Sequence, residues 1–249
     1  MEKLATLARH FVGLACLGSG LEQLVTLGFV RLVPKLPAWL PAQSFWAGAT
    51  GVMLVLIGGA ILTDRKIRLA AVSLAGLLLV LLGFRLPELA ADSGALVNPG
   101  KVLVLGGGAL LLGGRGKKWP WVAPVLLGIF LATCGWAHFR YSGFVDTLVP
   151  AWIPPSRRFW TCFSAVALLA GGLGVILPPT RRAAGLASGL MIFLWVVLLH
   201  IPRTVELKTL FELDGVFEAL AISGVALLVA AAHPRPAAGT TPEPQRRDK

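Results

Sequence analysis

Eight apolar runs alternate with short polar or proline-bearing breaks along the chain, at roughly 8–29, 44–62, 68–86, 97–114, 121–139, 158–177, 183–201 and 215–232. Helices of about 17–22 residues, rising 1.5 Å per residue, match a bilayer core of ~30 Å. The pattern predicts an all-α membrane protein with eight transmembrane helices. The fourth run carries the weakest signal, being rich in glycine (Gly106, Gly107, Gly108, Gly113, Gly114) with Lys101 near its start. A helix packed closely against its neighbours tolerates such glycines, and a lysine near a helix end can snorkel to the interface.

One break occurs twice. Pro37-Ala38-Trp39-Leu40-Pro41 returns as Pro150-Ala151-Trp152-Ile153-Pro154, 113 residues later. Proline lacks the N–H and restricts the residue before it, so neither copy continues a helix. An indole between them suits a membrane–water boundary. Each copy reads as a stiff, Trp-anchored turn between two spans.

Further matches extend the repeat. Gly20, Gly28, Phe29 and Val30 match Gly135, Gly143, Phe144 and Val145 at an offset of 115. Gly58-Gly59 matches Gly171-Gly172, Arg68 matches Arg181, and Pro87 and Gly100 match Pro202 and Gly215. Four crossings separate equivalent helices, an even number, so the halves are expected to point the same way, as two parallel-repeat four-helix bundles. Their boundaries are read as 1–118 and 119–232. The proline-rich tail, 233–249, cannot bury a core and is expected to be a disordered cytoplasmic segment.

Composition agrees: 56% of residues are hydrophobic and only 14% charged, against about a quarter charged in soluble domains. The first run lacks a small-residue cleavage site and belongs to the repeat, so it reads as a retained helix. Cys16, Cys134 and Cys162 lie in apolar runs with no Cys-x-x-Cys pairing, which indicates neither a disulfide framework nor a dithiol site. The net charge of +11 is localised. Fourteen basic and four acidic residues fall at the N-terminus, the 2–3, 4–5 and 6–7 loops and the tail. Because Lys and Arg mark the cytoplasmic face, both termini are expected inside a bacterial plasma membrane. Topology and anionic lipid account for the basic balance, and nucleic acid is not an expected partner.

With these features, the chain resembles the DoxX-like family of small bacterial membrane proteins. The residues that carry the resemblance are Gly28-Phe29, Trp39-Leu40-Pro41, Gly58-Gly59 and Gly106 to Gly108 in the first unit. In the second they are Gly143-Phe144, Trp152-Ile153-Pro154, Gly171-Gly172, His200-Ile201-Pro202 and Asp214-Gly215. The family is typically a four-helix unit, and this chain departs from it by carrying two. The resemblance implies quinone-linked redox chemistry, since the named member is similar to a subunit of a thiosulfate:quinone oxidoreductase. Other relatives are linked to redox partners or act as assembly factors. It transfers no catalytic residue.

Ionisable groups within spans are costly and mark candidate sites. Glu22, Arg85, His138, His200, Arg203 and Glu218 all fall towards the outer helix ends, with Gln23 beside them and Trp39 and Trp152 nearby. Together they form a predicted polar, Trp-rimmed pocket on the outer face. Arg85, Arg140 and Arg203 are also placed to snorkel, and Glu218 to pair with Arg203. His138 and His200 are spaced to ligate a haem or donate to a quinone carbonyl. Their counterparts in the first half are Gln23 and Arg85, and no His-x-x-x-His or nearby Cys completes a set, so neither metal nor haem is expected. The glycine runs lack a phosphate-loop ending and no serine sits in a Gly-x-Ser-x-Gly elbow.

The function expected is a binding or accessory membrane subunit, with quinone as the cofactor implied by the resemblance and redox or other membrane proteins as partners. Two other classes fit the same features. One is a non-catalytic assembly factor or membrane chaperone, and the other is a small-solute transporter.

Overall fold

The computed structural model describes residues 2–30, 32, 35–89, 97–114, 118–207 and 210–233, with the backbone alone for 85–89, 97–98 and 210–211. All eight apolar runs are helical. They form α1 (Glu2–Thr26), α2 (Gln43–Leu62), α3 (Ile67–Leu89), α4 (Val97–Leu112), α5 (Val122–Arg140), α7 (Arg157–Ile176), α8 (Arg181–Trp195) and α10 (Leu210–Ala232). Two short helices, α6 (Ser142–Leu148) and α9 (Ile201–Leu207), were not anticipated. A π-helical turn, Val196–His200, joins α8 to α9. No strand occurs among the described residues. The predicted tail beyond His233 lies outside them.

Seven helices are long and apolar enough to cross a membrane: α1, α2, α3, α5, α7, the α8–α9 rod and α10. At 16 residues α4 is the exception. It reaches about 24 Å, short of a ~30 Å hydrocarbon core.

Both Trp-bearing turns close in the same way. Leu40 N donates to Pro37 O at 3.1 Å and Ile153 N to Pro150 O at 3.3 Å. The first copy is locked by Gln43, whose Nε2 donates to Pro37 O and Leu40 O at 2.8 Å. The second is held by Trp160, whose indole donates to Pro154 O at 2.8 Å. Ser156 caps α7 by accepting from Phe159 N, satisfying a helix-start N–H that has no intrahelical partner.

Neighbouring helices close a ring in the order α1, α2, α3, α4, α5, α7, α8, α10 and back to α1, with α10 also touching α4 across the middle. α10 is the central element, with 67% of its spanning window buried against 28–39% for the other spans. Its Ala221, Val225, Ala226, Val229 and Ala230 are almost wholly enclosed.

Glycines let the tightest pairs approach at backbone distance. A Cβ on Gly20 would stand 2.7 Å from Gly51 O, and one on Gly58 would stand 2.7 Å from Gly13 O. Between α5 and α7, a Cβ on Gly135 would meet Ala165 O at 2.7 Å and one on Gly172 would meet Gly128 O at 2.6 Å. These contacts pair Gly58 with Gly172, an offset of 114, rather than with Gly171 as the Gly-Gly match proposes. Gly59 faces open space and Gly171 faces Ser188. Phe45-Trp46 and Phe159-Trp160 keep the same offset, and both pairs pack edge to face at 5.2 and 5.3 Å.

The opposite end from the Trp turns is tied by arginines. Arg9 Nη1 meets Asp64 Oδ1 at 2.7 Å, fixing α1 to the α2–α3 loop. Arg181 donates to Val175 O at 2.9 Å and to Ile176 O at 2.8 Å. It thereby covers the open carbonyls at the end of α7, where a cation also suits the helix dipole.

Candidate functional site: a polar level at the Trp end

Helices of alternating direction bring the ends of α1, α5 and α9 and the starts of α2, α4, α7 and α10 to the end that carries the Trp turns. The polar residues predicted to share one pocket divide there into separate groups.

Gln23 is completely enclosed between α1 and α2. Its Nε2 donates to Ala47 O at 2.8 Å and Thr50 Oγ1 at 2.7 Å, and its Oε1 accepts from Val30 N at 3.4 Å. Every hydrogen on that amide is engaged, so Gln23 ties α1, α2 and the intervening loop. Glu22 beside it is 7% exposed, and its carbonyl accepts from Thr26 Oγ1.

Glu218 on α10 pairs with Lys101 on α4 at 2.9 Å, not with Arg203. Both side chains are largely buried, and their charges cancel within the apolar interior. Arg203 instead grips Glu212 through two bonds, Nε to Oε2 at 3.2 Å and Nη2 to Oε1 at 3.1 Å. This fork geometry locks α9 onto the start of α10. Arg203 also donates to Thr147 O at 3.4 Å, reaching α6.

One turn beyond Cys134, His138 Nδ1 sits 2.8 Å from Cys134 O. A carbonyl only accepts, so Nδ1 carries the proton. The half-buried ring stacks on Trp195 with centroids 5.9 Å apart. Trp195 is the last residue of α8 before the π turn, and His200 is the last of that turn. His200 lies directly over Gly215, where an added Cβ would be 2.8 Å from its Nδ1. Further in, Gly189 faces Ser223 and Leu227, so Trp195, about 9 Å along α8, is level with Glu218. Trp195 and Glu218 therefore share one depth, with Lys101 paired to Glu218 and His138 stacked on Trp195; Cys134 lies one turn of α5 further in, and His200 roughly one turn nearer the surface.

Trp39 and Trp152 are 72% and 66% exposed and face outwards. They belong to an aromatic belt with Trp136, Phe144 and Phe45 rather than to a rim around the polar groups. The Arg85 side chain lies outside the described residues. On α6, Asp146 binds Arg158 at 3.1 Å and accepts from Thr161 Oγ1 at 2.7 Å, securing that short helix to α7.

Sequence reasoning missed Lys101 as the partner of Glu218, because 117 residues separate them. Trp195 as the platform for His138 was also missed; only the common depth of α5 and α8 carries that signal. Among the described residues no cluster of three or more His, Cys, Asp or Glu side chains is placed to hold a metal ion.

A family described as a domain of unknown function (DUF8561) matches residues 127–210, from within α5 to the first residue of α10. That segment contains His138, Trp195 and His200. No curated protein and no solved structure matches the chain.

Proposed function

We propose that this protein is a multi-pass, DoxX-like membrane subunit built of two parallel four-helix units, α1–α4 and α5–α10, with α4 as an eighth, shorter crossing. The ring supports this reading: each neighbouring pair has a counterpart one unit on. The α1–α2 pair answers to α5–α7, α2–α3 to α7–α8, α3–α4 to α8–α10 and α1–α10 to α5–α4. The fourth helix of each unit thus packs against the first helix of the other, and α4 meets α10 at the centre. The register supports it too. Gly20 and Gly135 make the same backbone approach 115 residues apart. Following the positive-inside bias, the arginine-rich end is cytoplasmic in a bacterial plasma membrane, and the Trp turns face out.

Its role is to bind a small apolar molecule with a polar head, of the quinone type, and to present it to a redox partner. The observation that carries this reading is the polar level within the apolar helices: Lys101 with Glu218, and His138 stacked on Trp195. Ionisable groups at such depth require partners, and they recur where membrane proteins hold polar ligands. The test is extraction of the full-length chain in mild detergent followed by analysis of copurifying lipid-soluble quinones. A stoichiometric quinone that is lost in His138→Ala with His200→Ala, at unchanged melting temperature, is the expected result. Full cellular function with both histidines and Glu22 replaced would sink the binding role in favour of an assembly factor.

A further inference from the structure

Gln23 and His138 stand 115 residues apart, at the same position in α1 and α5, but their polar atoms are used differently. The Gln23 amide is closed on both sides by Ala47, Thr50 and Val30. Among the described residues His138 is bonded through Nδ1 to Cys134 O alone, and nothing bonds its Nε2. With the proton fixed on Nδ1, the neutral ring offers at Nε2 a lone pair and no donor. This differs from the donation to a quinone carbonyl that the residue type alone allows.

The stretch beside it is also particular to the second half. A π turn takes up one extra residue within an α-helix and recurs at functional sites. Proline alone does not produce it, because α3 runs through Pro87 as an unbroken α-helix. Here the turn, Val196–His200, follows directly on Trp195, the residue that stacks on His138, and ends on His200.

We infer that only the second unit takes a ligand, and that His138 selects a neutral amphiphile whose head donates a hydroxyl, of the phenol or quinol class, over its carbonyl or ether counterpart. This rests on the binding role proposed above and deepens it: the reduced, hydroxyl form of a quinone-type ligand is the one held. The cancelled charges of Lys101 and Glu218 suit an uncharged head at that depth.

The experiment uses the full-length chain in detergent and three probes: a para-alkylphenol, its methyl ether, and a benzoquinone with the same alkyl tail. Binding is read by equilibrium dialysis and by quenching of tryptophan fluorescence. The phenol is expected to bind roughly tenfold more tightly than the ether, a factor worth about 1.4 kcal/mol. His138→Phe keeps a ring against Trp195 and removes the acceptor, so phenol affinity falls to that of the ether while the ether is unaffected. His138→Gln returns an amide that both donates and accepts, so quinone binding rises towards that of the phenol; this arm stands even where the phenylalanine variant fails to fold. Equal affinity for phenol and ether, or a preference untouched by His138→Phe, overturns the inference. Tighter His138-dependent binding of the quinone overturns it and leaves the binding role intact. Binding of none of the three overturns both.

Discussion

Lys101 and Glu218 meet at 2.9 Å across the contact between α4 and α10, the two helices that share the centre of the ring. A buried pair is destabilised most when one partner is lost, since the other charge is left without compensation in an apolar medium. Lys101→Met or Glu218→Leu alone is expected to destabilise the protein by about 3–5 kcal/mol, while the two together restore most of the loss. Thermal unfolding in detergent checks this, and additive losses would show that the pair does not act as a unit.

Adjacent glycines in α2 give a sharp contrast. A methyl group on Gly58 meets Gly13 O and the backbone of Leu17, whereas one on Gly59 meets nothing within 4 Å. Gly58→Ala is expected to cost about 1–3 kcal/mol through overpacking. Gly59→Ala should leave the melting temperature unchanged or raise it, as alanine favours helix. Gly172→Ala should behave like the first. Equal effects at Gly58 and Gly59 would contradict the register of α1 on α2.

The π turn predicts that deletions in one rod differ with position. Removing Val197 turns the segment into ordinary α-helix and leaves the flanking Trp195 and Arg203 near their places. Removing Met191 rotates every later residue of α8 by about 100° relative to α10. The first chain should still fold with its Arg203–Glu212 grip, and the second should lose most of its thermal stability. Comparison of the two melting curves decides it, and equal losses argue against an inserted residue.

Orientation can be read by labelling. In a chain freed of Cys16, Cys134 and Cys162, single cysteines at Trp39 and Trp152 are expected to react with an impermeant maleimide in intact cells. One at Lys66 should react only after permeabilisation. Opposite accessibility of Trp39 and Trp152 would rule out parallel units.

The Gln23 knot offers a fifth measurement. Gln23→Leu leaves Val30 N without its acceptor and removes the donor to Ala47 O and Thr50 Oγ1, and is expected to cost about 1–3 kcal/mol. It should not alter the ligand binding inferred for His138, which lies on α5. A binding defect as large as that of His138→Phe would show that the two positions are not independent.

Much of this was legible along the chain. Apolar runs of bilayer-spanning length predict helices because every backbone polar group must be satisfied within the membrane, and eight runs became eight helices. Pro37 and Pro150 predicted turns through the missing N–H, and both turns closed as expected. Partnership was less legible. Glu218 had Arg203 as its obvious candidate in sequence, but packing of α4 on α10 delivered Lys101, and the fork of Arg203 went to Glu212.

The sequence by itself determined which segments are helical, where they break, and that polar groups gather towards one end, because period, proline and desolvation act locally or residue by residue. Tertiary structure alone decided which groups touch. It closed the Gln23 amide, opened His138 Nε2 and set Trp195 beside it, because those outcomes depend on the relative rotation of helices, which a single inserted residue changes by about 100°.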